Sequence, residues 1–94
     1  MRFVAILTDK PGTQALRAEN TAAHEAFIAA NRSRIVLAGA MRAEADGPAR
    51  GGLWVIEADS KQAAEAIIHD DPFFKAGMRG AIELYHWNAG GKIG

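Results

Sequence analysis

Arg2 to Thr8 is a short apolar run of branched and aromatic side chains, closed by Asp9-Lys10-Pro11-Gly12. That pattern predicts a strand followed by a turn. From Thr13 to Arg32 the chain has no proline or glycine and is rich in alanine. Leu16, Ala23, Phe27 and Ala30 recur there at helical spacing, which predicts a long amphipathic helix. Arg32 and Arg34 stand where cations suit the negative end of the helix dipole. Ile35 to Met41 predicts a second strand, followed by a polar loop, Arg42 to Arg50, with the turn signal Asp46-Gly47-Pro48. Gly52 to Ala58 predicts a third strand. Asp59 then begins a second helix with Gln62 as its capping-box partner, and Ala63, Ala64, Ile67 and Ile68 form its apolar face. The helix must stop near Asp70, because Pro72 disfavours helical conformation at Asp71. After a short loop, Gly80 to Trp87 predicts the fourth strand. The tail Asn88 to Gly94 carries three glycines and is expected to be mobile unless a partner holds it.

Strand, helix, strand, strand, helix, strand is the order of an α+β, ferredoxin-like βαββαβ sandwich. A four-stranded antiparallel sheet is expected, with both helices on one face, in a single domain over residues 1–94. The face away from the helices should be polar if it met only water. It is apolar instead. Phe3, Ala5 and Leu7 alternate with Val4 and Ile6, Leu53 and Val55 with Trp54 and Ile56, and Ile35 to Met41 is apolar on both sides. One set belongs under the helices, and the other predicts a homodimer through the apolar sheet face.

Composition narrows the function classes. A chain of 94 residues buries only about 60–65% of the surface its unfolded form exposes, so docking against a second copy would stabilise it. Eleven basic and eleven acidic side chains cancel and are scattered. This leaves no electrostatic footprint for nucleic acid and no polybasic patch for a membrane. The opening apolar run is too short for a signal-peptide core or a membrane span. The lack of cysteine removes disulfides, thiolate metal sites and cysteine nucleophiles, and fits a reducing cytoplasm. Asn31-Arg32-Ser33 matches a glycosylation sequon and, without any sign of export, reads as coincidence.

Few residues are candidates for chemistry. His24 lies midway along the first helix, seven residues after Arg17 and therefore on nearly the same face, with Ile28 one turn further on. A lone helical histidine is more often structural than catalytic, and Arg17 by itself reads as a solvated face residue. Asp71, before Pro72-Phe73-Phe74, reads either as a cap for the next short turn or as a carboxylate on a stiff segment that orients a partner. His69 suits the helix C-terminus, and His86, on the side of Ile82 and Leu84, reads as structural. Histidines at 24, 69 and 86 have no close-pair ligand spacing, so no metal is expected. Gly39, Gly47 and Gly51-Gly52 belong to turns and strand ends, with no phosphate-binding loop among them. Trp54 and the other aromatics read as core or interface.

Taken together, these segments resemble the YCII-related (YciI-like) family, a branch of the dimeric α+β barrel proteins. The resemblance covers nearly the whole chain. It rests on the first strand, on Arg17 and His24, on Ala38-Gly39, on Gly52 to Glu57, and above all on Asp70-Asp71-Pro72-Phe73-Phe74-Lys75-Ala76-Gly77. Asp46-Gly47-Pro48 is similar to part of the DGPF motif of a sister group, with Ala49 in place of its phenylalanine. Relatives often carry a basic residue and a proline just before the histidine, where this chain has Thr21-Ala22, and a proline where it has Ala40.

The resemblance implies a His–Asp dyad on His24 and Asp71, with Arg17 placed to steer an anionic group. The carboxylate would fix the imidazole tautomer and stabilise the imidazolium, leaving the second ring nitrogen to move a proton. With no activated serine or cysteine, proton transfer is the natural chemistry. It would be a cofactor-independent isomerisation or elimination on a small cyclic or aromatic molecule. The alternative is a non-catalytic small-molecule binding or accessory module with a structural His–Asp hydrogen bond. A third reading, a haem- or oxygen-using protein, follows from haem enzymes elsewhere in the superfamily.

Overall fold

Phe3, Ala5 and Leu7 of the first strand and Trp54 and Ile56 of the third are buried together against Ala64, Ile67 and Ile68 of the second helix. The period-2 alternation read from the sequence thus selects the inner face of the sheet. The structure, a computed structural model, describes residues 1–88. Its elements are β1 (Arg2–Asp9), α1 (Gln14–Ala30), β2 (Ile35–Arg42), β3 (Ala49–Glu57), α2 (Lys61–His69), α3 (Pro72–Lys75) and β4 (Arg79–His86). The strands form one sheet in the order β2-β3-β1-β4, and every pairing is antiparallel. This is the expected ferredoxin-like α+β arrangement. The glycine-rich tail lies, from residue 89 onward, outside the described residues.

Register carries the inner set across the sheet. Ala5 stands between Trp54 on β3 and Leu84 on β4, and Ala38 of β2 pairs with Trp54. Among the described residues no element covers the outer set, Val4, Ile6, Leu37, Leu53 and Tyr85, and Leu37 is 63% exposed. Where β1 and β3 meet, a Cβ on Gly51 would lie 1.9 Å from the carbonyl oxygen of Leu7. Only glycine allows that approach.

Local details depart from expectation. The second helix is capped by Ser60, not Asp59: Ser60 is extended and its Oγ accepts from Ala63 N at 3.0 Å. The cap side chain must reach a free amide of the first turn, and with Lys61 as first helical residue Ser60 holds that place. The segment after Asp71 is a short helix, not a loop, with Asp71 as N-cap and Pro72 at its first position, where a missing N–H costs nothing. Helix α1 ends at Ala30, so Arg32 and Arg34 lie beyond it.

The apolar face expected for α1 is also rotated. Ala23 and Ala30 are exposed, while Leu16, Arg17, Asn20, Thr21, His24, Phe27 and Ile28 form the half-buried stripe. No α1 residue is fully buried. The helix stands off the sheet and leaves a cleft beneath its His24 face.

Candidate active site

A cleft of about 270 Å³ separates α1 from the sheet. Its floor is made by small residues at inner-face positions, Ala38 and Ala40 of β2 and Gly52 of β3, with Trp54 beside them. Larger side chains there would fill the gap. Arg17, His24 and Ile28 line it from α1, and Arg79 from the start of β4. An apolar cavity of about 150 Å³ holds benzene, so the cleft has room for one substituted ring.

His24 and Asp71, 47 positions apart, meet at its edge. Nδ1 of His24 lies 2.7 Å from Oδ1 of Asp71, whose side chain is 0% exposed. The same Oδ1 accepts from the backbone N–H of Phe73 at 3.2 Å, and Oδ2 lies 3.5 Å from Nη2 of Arg79. Asp71 thus caps α3 and also contacts the histidine. An ionised carboxylate only accepts hydrogen bonds. Against an ionised carboxylate the donor in this contact is Nδ1, in the tautomer that leaves Nε2 without a hydrogen.

The carboxylate belongs to a longer chain of charges. Arg79 donates through Nη1 to Oδ1 of Asp9 at 2.8 Å, and Arg17 donates to Oδ2 of Asp9 at 2.6 Å. Arg17 is thus paired and largely covered, not a solvated face residue. Arginine–aspartate–arginine–aspartate–histidine is the resulting order, with each charge next to its opposite. Buried charges are tolerable only when paired in this way.

Aromatic contacts hold the imidazole. Its ring is stacked on Phe73, with centroids 4.0 Å apart and planes 14° from parallel, and the Trp54 ring lies 6.2 Å away. The guanidinium groups of Arg17 and Arg79 lie 5.0 and 5.2 Å from the Phe73 centroid, within cation–π range.

Sequence reasoning missed Asp9, Phe73, Trp54 and Arg79 as members of this cluster. Asp9 read as a turn residue and Trp54 as core or interface. Arg79 has a visible signal, a lone cation at the mouth of an apolar strand, but its direction depends on a register shift. Leu7 pairs with Ile82 while Asp9 pairs with Arg79, so β4 carries one extra residue at that point. Alternation from Ile82 and Leu84 alone would turn Arg79 to the outer face; the bulge turns it inward.

The other histidines lie apart. His69 ends α2, stacked on Phe74 at 4.4 Å with Glu65 3.6 Å from its Nε2. His86 meets Phe3 edge-on at 5.4 Å. Among the described residues no group of His, Asp and Glu side chains converges as a metal site, and no helix is long and apolar enough to cross a membrane.

Comparison with known proteins places this geometry in context. No curated protein sequence matches the chain. Among solved structures it is similar to the 5-chloro-2-hydroxyhydroquinone dehydrochlorinase TftG of Burkholderia phenoliruptrix AC1100, in complex with 2,5-dihydroxybenzoquinone. That match has a TM-score of 0.86 and 29% identity over 96% of each chain. The Arabidopsis thaliana protein At3g17210 matches with a TM-score of 0.51 and 11% identity, over 98% of this chain and 97% of its own. At that identity it shows a shared fold alone. The model of one family, the YCII-related domain, matches residues 1–88, and the chain belongs to that family.

Proposed function

We propose that the protein is a cofactor-independent enzyme that moves a proton on a small hydroxylated aromatic or cyclic molecule, in an elimination or isomerisation. His24 is its general acid and base, Asp71 orients the imidazole, and Arg17 steers an anionic substituent. The observation that carries this reading is the 2.7 Å contact between His24 Nδ1 and the fully covered Asp71 carboxylate, at the edge of a ring-sized cleft. The likeness to a dehydrochlorinase of a hydroxylated chloroaromatic supports the substrate class.

The step follows from the arrangement. Nε2 takes a proton from a hydroxyl or ring carbon of the substrate, and the imidazolium is stabilised by Asp71. The electron pair left behind is reprotonated at another ring position by the same imidazolium; where that carbon bears chlorine, loss of a second hydroxyl proton then expels chloride, for a net loss of HCl. The stacked Phe73 keeps the imidazole in one orientation, so little reorganisation is needed when the proton moves.

The test is chloride release from 5-chloro-2-hydroxyhydroquinone, or turnover of related hydroxylated rings, by wild type and His24→Ala. The variant is expected to keep its circular dichroism spectrum and to lose turnover. Unchanged turnover would overturn the assignment. A second reading, a binding module in which the His–Asp bond is structural, is favoured by the role of Asp71 as cap of α3. An NMR titration of His24 that responds to no ligand would support that reading.

The same proposal includes a homodimer closed through the outer sheet face, where Val4, Ile6, Leu37 and Leu53 stand uncovered or half-covered. It also places the protein in the cytoplasm, consistent with a sequence that holds no cysteine.

A further inference from the structure

Two nitrogen donors in the cleft have more hydrogen-bonding capacity than the protein uses. Arg79 is 5% exposed and Trp54 1% exposed. A guanidinium has five N–H bonds. Nη1 of Arg79 serves Asp9, Nη2 makes only a long 3.5 Å contact with Asp71, and Nε has no partner among the described residues. An indole N–H can only donate, and no hydrogen bond joins Trp54 Nε1 to another described side chain. Leaving Arg79 Nε unmatched in a covered place is costly.

Both donors flank one point of the cleft floor. The position a Cβ would take on Gly52 lies 3.7 Å from Arg79 Nη2 and 3.7 Å from Trp54 Nε1, so both donors reach the cleft floor beside this glycine. The third near atom is the carbonyl oxygen of Gly39 at 3.2 Å. A side chain on Gly52 would crowd these atoms, and glycine leaves the two donors uncovered toward the cleft. Two donors, one of them cationic, outweigh a single carbonyl acceptor, so the cleft beyond Gly52 suits an oxygen bearing negative charge. The same cleft holds His24, whose ring centre lies 6.2 Å from that of Trp54, so a ring bound beside these donors also lies beside the imidazole.

We infer that Trp54 Nε1 and Arg79 Nη2 form an oxyanion subsite in the cleft beyond Gly52, which takes a phenolate or enolate oxygen of a ring that also meets His24. This rests on the proposed function and names its substrate class more narrowly, as rings carrying an ionisable or ionised oxygen. It also gives the proton transfer an electronic partner. Charge created on the ring when Nε2 takes a proton is received by donors already in place.

The probe is 4-nitrophenol, whose phenolate and phenol forms are distinguished by colour. Wild type is expected to bind the phenolate in preference to the phenol, and the indole N–H resonance of Trp54 is expected to move downfield as it binds. The chain has two tryptophans, so Trp87→Phe assigns that resonance. Trp54→Phe keeps an aromatic ring and removes the donor. It should reduce the phenolate preference by roughly tenfold, the scale of one hydrogen bond to a charged group. His24→Gln should retain the preference. An unmoved indole resonance with probe bound, a preference that disappears with His24 rather than with Trp54, or no binding of the phenolate to wild type would each overturn the subsite. If Trp54→Phe does not fold, the indole resonance of wild type decides the matter alone. Retained phenolate preference together with undiminished turnover in His24→Ala would sink the dyad and leave the subsite standing.

Discussion

The His24 ring lies almost flat on Phe73, with centroids 4.0 Å apart, and the residue two before Phe73 accepts the hydrogen bond from that same ring. One three-residue segment, Asp71-Pro72-Phe73, therefore fixes the imidazole both in its plane and at its edge. Pro72 locks the backbone between them, and the Asp71 cap on the Phe73 amide closes the unit.

Phe73 should accordingly matter to both stability and turnover. It is almost wholly buried, and Phe73→Ala is expected to cost about 3–5 kcal/mol in urea unfolding. Phe73→Leu keeps much of the volume and loses the stack. Its expected signature is a smaller stability loss with a clear fall in turnover. Turnover equal to wild type in Phe73→Leu would show that the stack does not orient His24.

Asp71→Asn tests the carboxylate without changing its shape. Arg79 and His24 would lose their anion in a place with no solvent, and breaking a buried charge pair costs about 3–5 kcal/mol. An amide also presents an N–H donor, which can impose the wrong imidazole tautomer. Turnover is expected to fall by about 100-fold or more, with lower thermal stability in calorimetry. A variant as stable and as active as wild type would contradict both roles.

Tyr85 supplies a pH-dependent reporter on the outer face. Its phenol donates to Oε2 of Glu83 at 2.9 Å. That hydrogen bond, reinforced by the carboxylate charge, raises the phenol above its ordinary 10.0. A raised folded-state value means the contact contributes stability below the unfolded value, and that contribution is lost as pH climbs through the folded one. The chain has one tyrosine, so ultraviolet absorbance follows this group alone. Glu83→Gln is expected to bring the midpoint down toward 10.0; identical midpoints would refute the coupling.

Two glycines should respond in opposite ways. Gly51→Ala would push a methyl to 1.9 Å from the Leu7 carbonyl, whereas a Cβ on Gly39 meets nothing within 4 Å. Gly51→Ala is expected to prevent folding or to cost several kcal/mol, about the upper range for single substitutions. Gly39→Ala should lie within about 0.5 kcal/mol of wild type. Denaturant midpoints of the two variants decide it.

For the homodimer, Leu37→Glu places a charge on the β2 side of the outer face, at a site 63% exposed here. Wild type is expected to sediment as a dimer and the variant as a monomer. A monomeric wild type would rule the pairing out.

The order of elements, the inner and outer sets of β1 and β3, and the stop before Pro72 were all legible in the chain, because each rests on local periodicity or backbone sterics. The face of α1 was legible only in part. Its alanines mark helix well and burial poorly, so Ala23 and Ala30 entered the expected face while Asn20, Thr21 and His24 line the covered one. The meeting of His24 with Asp71 could be anticipated only from the resemblance, since nothing in a spacing of 47 positions implies contact.

Local pattern by itself determined the four strands and the two longer helices, and which residues of β1 and β3 share a face. Tertiary structure alone decided the site. One extra residue in β4 turns Arg79 inward to join Asp9 and Asp71, and a single-residue change of register reverses a side chain's face. Small residues on β2 and β3 become a cleft floor only because α1 stands above them. Periodicity describes one element at a time, whereas a cavity and a buried charge chain exist only between elements.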